Sequence, residues 1–233
     1  MTQKLFWQDP YQTRLDTRVE TVVGNEVTLA QTIFYALSGG QESDSGTLGG
    51  YPVIEARNQG SEIYYRLAEG HGLQPGQRVT VEIDWERRYR LMRLHFAAEL
   101  VLELVYTMLD FPTKIGAHIA EDKARIDFEW AGNISTLFPE IDQRVRAIVA
   151  ADSKIVSAYS DEAGERRYWE VPGFARVPCG GTHLRRTGEL GAIELKRRNP
   201  GKGKERVEIR LAADQGVLPC RADRPSECPV ADR

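Results

Sequence analysis

In several short stretches of the first 86 residues, apolar and polar positions alternate with a period of two. Arg18 to Val23 and Glu26 to Ala30 alternate on either side of Gly24-Asn25, which predicts a β-hairpin. A second hairpin is predicted where Val53 to Arg57 and Glu62 to Arg66 flank Asn58-Gln59-Gly60-Ser61. Gln77 to Asp84 alternates again after the Pro75-Gly76 turn. Several short strands joined by glycine-rich turns predict a small barrel or sandwich.

The period changes after Trp85-Glu86-Arg87-Arg88, which is the predicted boundary between a first domain, residues 1–86, and a second, residues 87–213. From Arg88 to about Leu109, the residues Leu91, Leu94, Ala98, Val101, Leu102, Val105 and Leu109 recur at intervals of three and four, the signature of a helix. Phe111-Pro112 closes it. His118 to Trp130 reads as a loop and a strand, with His118 a surface or structural histidine. Ser135 is placed to cap a helix running to about Ala150, with Pro139 in its first turns, where proline is tolerated. Lys154 to Tyr159, Arg166 to Val171, Ile193 to Arg198 and Arg206 to Leu211 read as extended. The predicted class is α+β, a small N-terminal β domain followed by an antiparallel sheet packed with helices. The Pro- and charge-rich residues 214–233 are predicted to form a disordered tail.

At 233 residues, with 41% hydrophobic and 28% charged side chains, the composition is that of a globular protein. The net charge of −3 excludes an argument for a nucleic-acid partner from global charge; only a local basic patch could carry one. Such a patch exists in Lys196, Arg197, Arg198, Lys202, Lys204, Arg206 and Arg210, which is either a solvated hairpin or a phosphate-contacting surface. The first ten residues lack an apolar h-region and no run of about 18 apolar residues follows, so neither a signal peptide nor a membrane span is expected. Three cysteines without a secretory signal predict a reducing, cytoplasmic setting; Cys220 and Cys228 lack metal-ligand spacing.

Two distant stretches carry the candidate chemistry. His95 and Glu99 lie four apart on the predicted helix, so their β-carbons fall roughly 5–6 Å apart on one side. Cys179-Gly180-Gly181-Thr182-His183 places two metal-ligand types around a glycine pair that lets the backbone fold tightly. Together, His95, Cys179, His183 and Glu99 form a donor set suited to one zinc ion. Three such ligands suffice for a catalytic zinc, so Glu99 is either a fourth ligand or a base that accepts a proton from water. A third stretch, Gly39-Gly40-Gln41, is either a flexible surface loop or a close backbone approach to a ligand that Gln41 hydrogen-bonds.

These motifs are where the chain resembles the free-standing alanyl-tRNA editing proteins, which share their core with the editing domains of alanyl- and threonyl-tRNA synthetases. The family pattern is a helical H-x-x-x-H followed much later by C-x-G-T-H. Cys179 to His183 and His95 match it, and Glu99 stands where the family has histidine. The family's G-G-G-Q-x-x-D-x-G loop is matched by Gly39, Gly40, Gln41, Asp44 and Gly46, with Ser38 for the first glycine. Arg125-Ile126-Asp127-Phe128 and the Lys202-Gly203-Lys204 turn are also similar, and the resemblance runs from about Leu5 to Leu211. It implies a small N-terminal β-barrel, a zinc site at His95, Glu99, Cys179 and His183, and hydrolysis of serine or glycine from a tRNA for alanine. It implies that Gly39, Gly40 and Gln41 meet the substrate and that Arg197, Arg198, Lys202 and Lys204 contact the tRNA acceptor end. Thr182, adjacent to a ligand, is placed to touch the amino acid. Two other readings remain: a tRNA-binding relative without catalysis, and a zinc hydrolase of another acyl ester.

Overall fold

The structure is a computed structural model describing residues 2–201 and 203–212. Lys202, Cys220, Cys228 and the expected tail at 214–233 lie outside the described residues. The described chain divides into two units, residues 2–38 with 42–89, and residues 39–41 with 90–201 and 203–212. It is mostly sheet with few helices, an α+β fold. Among the described residues no helix is long and apolar enough to cross a membrane.

The first unit contains β1 (Gln3–Lys4), β2 (Arg14–Val23), β3 (Glu26–Leu29), β4 (Gln31–Thr32), β5 (Gly46–Leu48), β6 (Tyr51–Pro52), β7 (Glu55–Gln59), β8 (Glu62–Arg66) and β9 (Arg78–Ile83). Seven of these pair in the order β6-β5-β9-β2-β3-β8-β7. Both predicted hairpins form: Val23 pairs with Glu26 across Gly24-Asn25, and Gln59 with Glu62 across Gly60-Ser61. No ladder joins β6 to β7 among the described residues. These two end strands are nevertheless consecutive in the chain. Between them Val53 N–H donates to Gly46 and Ile54 N–H to Arg66, so one extended segment leaves β5 and joins β8. The inward positions of the alternating strands, including Val19, Val27, Leu29, Leu48, Ile63, Tyr65 and Val81, form the core.

A buried ion pair crosses this core. Arg88 is wholly buried; its Nε donates to Asp44 Oδ1 at 2.8 Å, Nη1 to the Pro10 carbonyl and Nη2 to the Ile33 carbonyl and Asp44 Oδ2. Asp44 also accepts the Tyr35 N–H at 2.6 Å and donates its own N–H back to the Tyr35 carbonyl. It therefore holds the two ends of the loop that contains Gly39-Gly40-Gln41.

The long helix α1 (Trp85–Leu109) supplies its later residues to the second unit. The stripe read from sequence is narrower than the buried surface: every residue from Leu91 to Ala98 is buried, as for a helix covered on all sides. Phe96 meets Trp169 edge to face at 5.5 Å, and Arg93 donates to the Leu190 carbonyl at 3.0 Å. The unit then adds β10 (Lys114–Ile119), β11 (Ala124–Glu129), α2 (Phe138–Ala150), β12 (Val156–Asp161), β13 (Arg166–Val171), β14 (Ala175–Pro178), β15 (Ile193–Gly201) and β16 (Lys204–Leu211). Two antiparallel sheets result, ordered β10-β11-β16-β15 and β12-β13-β14. His118 lies in β10 opposite Arg125, in a strand rather than the expected loop. Asn133, not Ser135, caps the turn preceding α2: its side chain accepts the Ser135 N–H at 3.0 Å.

Truncating Asp44 to alanine leaves a buried guanidinium without its anion. The expected loss is about 3–5 kcal/mol, read as a lowered urea midpoint. An unchanged midpoint would show that the pair does not support the fold.

Candidate metal centre

Helical spacing delivers the first half of the site. His95 and Glu99 are one turn apart on α1, and His95 Nε2 lies 3.2 Å from Glu99 Oε2. The second half comes from the irregular segment after β14. Cys179 N–H donates to the Arg167 carbonyl at 2.9 Å, which continues the β13–β14 register by one residue and fixes where the loop begins. The chain then turns back so that Gly181 N–H points at Cys179 Sγ at 3.3 Å. Gly181 lies against the His95 ring: a β-carbon there would fall 2.4 Å from Cε1. Only glycine allows this approach, which brings Cys179 Sγ to 3.2 Å from His95 Nε2. His183 Nε2 closes the group at 3.3 Å from Glu99 Oε2, with its ring perpendicular to that of His95.

One donor atom from each of His95, Glu99, Cys179 and His183 lies within 4.8 Å of the others. Tetrahedral zinc with bonds of about 2.0–2.3 Å has ligand–ligand edges of about 3.3–3.8 Å. The separations of 3.2, 3.2 and 3.3 Å lie at or just below the short end of such edges, and two imidazoles, a thiolate and a carboxylate are all zinc donors. The residues present therefore fit the ion.

The four groups shift one another. Burial pushes His95 down, but the charges of Glu99 and Cys179 hold it well above its ordinary value. His183 is likewise raised, by Cys179 and Glu99 against burial. Burial pushes Glu99 up, yet the His95 charge and hydrogen bonds from both histidines hold it far below the usual carboxylate range. Burial raises Cys179, but the charges of His95 and His183 and a hydrogen bond from His183 together outweigh it, leaving the thiol at about 7. One turn further along α1, burial and then the Glu99 charge raise Glu103.

Gln41 is fully buried and reaches the same loop: its Nε2 donates to Thr182 Oγ1 at 3.1 Å. Its turn is fixed by a bridge to Ile119 and by the Ile119 N–H donating to the Gly40 carbonyl at 2.8 Å. Gly40 has φ +86°, and a β-carbon there would lie 2.8 Å from the Ala117 carbonyl oxygen. Gly39 is exposed at the tip. Two buried polar atoms beside this loop, Gln41 Oε1 and His95 Nδ1, lack hydrogen-bond partners.

The basic hairpin β15–β16 does not hold its charges alike. Arg197 donates through Nε and Nη2 to Glu205, which is 1% exposed and also accepts from Asn199 and Ile134. Arg206 is paired with Asp127, and Arg198 lies 3.5 Å from Glu208. Lys196, Arg198, Lys204 and Arg210 are exposed. Arg197 is contiguous with these in sequence but not in role: Glu205, eight residues on, is its partner, because strand register decides which charges meet.

Residues 170–208, which include the Cys179 to His183 loop, match the Threonyl and Alanyl tRNA synthetase second additional domain. The alanyl-tRNA editing protein AlaX-M of Pyrococcus horikoshii is 31% identical over 223 residues, covering 91% of this chain and 98% of that protein. The AlaX-M protein of Saccharolobus solfataricus is 32% identical over 233 residues, covering 89% and 98%. The alanine–tRNA ligase of Staphylothermus marinus is 32% identical over 224 residues, 83% of this chain but 24% of the ligase.

The shifts fix a pH dependence for protein stripped with a chelator. Raised histidines stabilise the fold below the ordinary value of 6.5, and that contribution is lost as pH rises through their folded values. The depressed Glu99 stabilises above 4.5, and its share is lost as pH falls toward its folded value. Cys179 adds a smaller opposing gain between about 7 and 9.0. Thermal stability should therefore peak between pH 4.5 and 6.5 and fall on the alkaline side. Zinc uptake near the peak should release about three protons, one each from His95, His183 and the Cys179 thiol, since metal needs deprotonated donors. Stability that rises steadily to pH 8, or proton-neutral uptake, would contradict this electrostatic account.

Proposed function

Because the chain belongs to the family of alanyl-tRNA editing proteins, we propose that it hydrolyses the ester joining serine or glycine to a tRNA for alanine, at a zinc ion held by His95, Glu99, Cys179 and His183. The observation that carries this reading is the convergence of four donor atoms beside a buried, unpartnered Gln41 Oε1. A zinc ion held there supplies Lewis-acid chemistry to an ester and its attacking water.

The remaining work falls to the chain. Water adds to the ester carbonyl carbon and the bond to the ribose oxygen breaks. The proton lost by water ends on that oxygen, giving free amino acid and intact tRNA. Glu99 Oε2 lies at hydrogen-bond distance from both Nε2 atoms, which favours its role as a fourth ligand over that of a detached base. Gly39 and Gly40 bring the backbone close, and Gln41 meets the aminoacyl group. Lys204 and Arg198, with Lys202 beyond the described residues, are assigned to acceptor-end phosphates; Arg197 contributes by holding Glu205. The first unit is read as the family's small barrel, closed through Tyr51–Gln59, with the domain boundary near residue 87. Editing of this kind is needed because a small pocket rejects close analogues weakly by binding alone.

Substituting Glu99→Gln tests the site. A neutral amide is a poorer donor, so zinc affinity should fall by roughly tenfold or more, with deacylation of Ser-tRNA falling alongside. Normal zinc content with turnover lowered about 100-fold would assign Glu99 to proton transfer instead. A zinc-loaded parent protein that deacylates neither Ser- nor Gly-tRNA would leave only a binding role.

Neutralising Lys204 and Arg198 should weaken tRNA binding and flatten its salt dependence by roughly one unit of slope per lost phosphate contact. Arg197→Ala should instead lower stability, by exposing Glu205 as an unpaired buried charge. Salt slopes equal to the parent's in the first variant would make the hairpin merely solvated.

A further inference from the structure

The outer face of the ladder between β2 and β9 carries three consecutive cross-strand pairs: Arg14 opposite Glu82, Asp16 opposite Thr80, and Arg18 opposite Arg78. Ile83 N–H donates to the Thr13 carbonyl at one end of this run, and Val19 N–H to the Gln77 carbonyl at the other. Each of the three pairs is therefore of the non-hydrogen-bonded kind, in which facing side chains come closest. The first two are complementary. Arg14 Nη1 lies 3.1 Å from Glu82 Oε1, and the Thr80 hydroxyl donates to Asp16 Oδ1 at 2.6 Å. The third sets two guanidinium ions against each other, and among the described residues neither guanidinium has an ion pair or a hydrogen bond. Like charges directly opposite destabilise a sheet. The position is also concave. Asp16, Thr17, Arg18, Ala30, Gln31 and Arg78 line a cleft of about 300 Å³, the small end of the range for ligand sites. Its far wall is fixed: Ala30 N–H donates to the Arg18 carbonyl at 3.0 Å, and the Thr17 hydroxyl to the Gln31 carbonyl at 3.0 Å.

Two neighbouring guanidinium groups suit the oxygens of one phosphate. Asp16 shares the cleft, with Oδ1 taken by Thr80 and Oδ2 left as an acceptor. A carboxylate beside a phosphate is unfavourable unless the same ligand also donates to it. A ribonucleotide does both, since its sugar carries a 2′-hydroxyl. We propose that this cleft binds one ribose-phosphate unit of an RNA backbone, with the phosphate between Arg18 and Arg78 and the 2′-hydroxyl donating to Asp16. In choosing RNA over a free phosphate compound, the inference rests on the reading of the chain as one that handles tRNA. The cleft belongs to the first unit and shares no residue with the metal centre or the β15–β16 hairpin. Contacts of this kind fix the register of the RNA without reading its sequence, and the 2′-hydroxyl distinguishes it from DNA.

The test titrates uncharged tRNA for alanine into the zinc-loaded full chain. Arg18→Gln combined with Arg78→Gln should weaken binding about tenfold at low salt and flatten the salt dependence by about one unit of slope. Deacylation of Ser-tRNA at saturating protein should keep the parent's rate. Without RNA, the same variant should melt at or above the parent's temperature, because a like-charge pair has been removed. A lower midpoint would show that the arginines serve the fold, and would overturn the proposal. A 2′-fluoro acceptor-stem hairpin keeps the RNA helix form but has no hydroxyl to donate. Parent protein should bind it about tenfold or more weakly than the hydroxyl form, and Asp16→Ala should shrink that difference by about threefold or more. An unchanged salt slope in the arginine variant, an unchanged ratio in Asp16→Ala, or inorganic phosphate or AMP bound at the cleft as tightly as tRNA would each overturn the proposal. RNA binding that responds to these substitutions in a protein that deacylates nothing would remove the enzymatic reading and leave the cleft assigned. Deacylation with RNA binding indifferent to them would do the reverse.

Discussion

The second unit depends on four ionisable side chains compensating one another in a buried space. Taken singly, burial opposes charge on His95, Glu99, Cys179 and His183. Near and above pH 7, two imidazolium ions balance a carboxylate and a thiolate, and the separations of 3.2–3.3 Å are short enough for attraction to prevail. One zinc ion carries the same charge as the two protons it would replace. The group is therefore compatible with burial in either form, which a set of four neutral donors would not be. Glu99 fits this balance: with histidine at that position the metal form would carry one more positive charge.

That compensation explains the local geometry. A helix presents residues four apart on one side at no extra cost, so His95 and Glu99 need only the periodicity of α1. Cys179 and His183 need a chain reversal over a ring, and the missing side chain of Gly181 makes room for it. The loop is tied at its start by the ladder bond from Cys179 to Arg167 and near its end by the Thr182 hydroxyl on Gln41. Each tie comes from a different part of the chain, so the site is rigid only when the whole unit is folded. The first unit has its own tie, in which Arg88 and Asp44 satisfy the loop ends at Tyr35, Pro10 and Ile33.

Charge on the surface follows other rules. The run from Lys196 to Arg210 looks uniform in sequence, yet Glu205, Asp127 and Glu208 take up Arg197, Arg206 and Lys123 across the ladders. In a strand, alternate residues face opposite sides, so neighbours in sequence meet different partners. What remains exposed is a smaller set than the run suggests.

Period and spacing alone determined a good deal about this protein. The two N-terminal hairpins, the helix carrying His95 and Glu99, and the tight turn of Cys179-Gly180-Gly181-Thr182-His183 were legible because each rests on local geometry: a two-residue repeat, a 3.6-residue repeat, a glycine pair. That this helix and this turn share one site followed from their metal-ligand residue types and the family resemblance, not from spacing. Strand β10 was not legible, since Lys114 to Ile119 has little alternation and is held by β11. Sequence points to Ser135 as the cap and the structure to Asn133, because both are good capping residues and only the backbone path chooses between them. The tertiary structure alone decided that Glu99 Oε2 lies between two imidazoles, that Gln41 meets Thr182 across 141 positions, and that Arg197 belongs to Glu205. These are contacts between segments whose separation in sequence carries no information about their distance in space, and burial of the intervening core is what sets that distance.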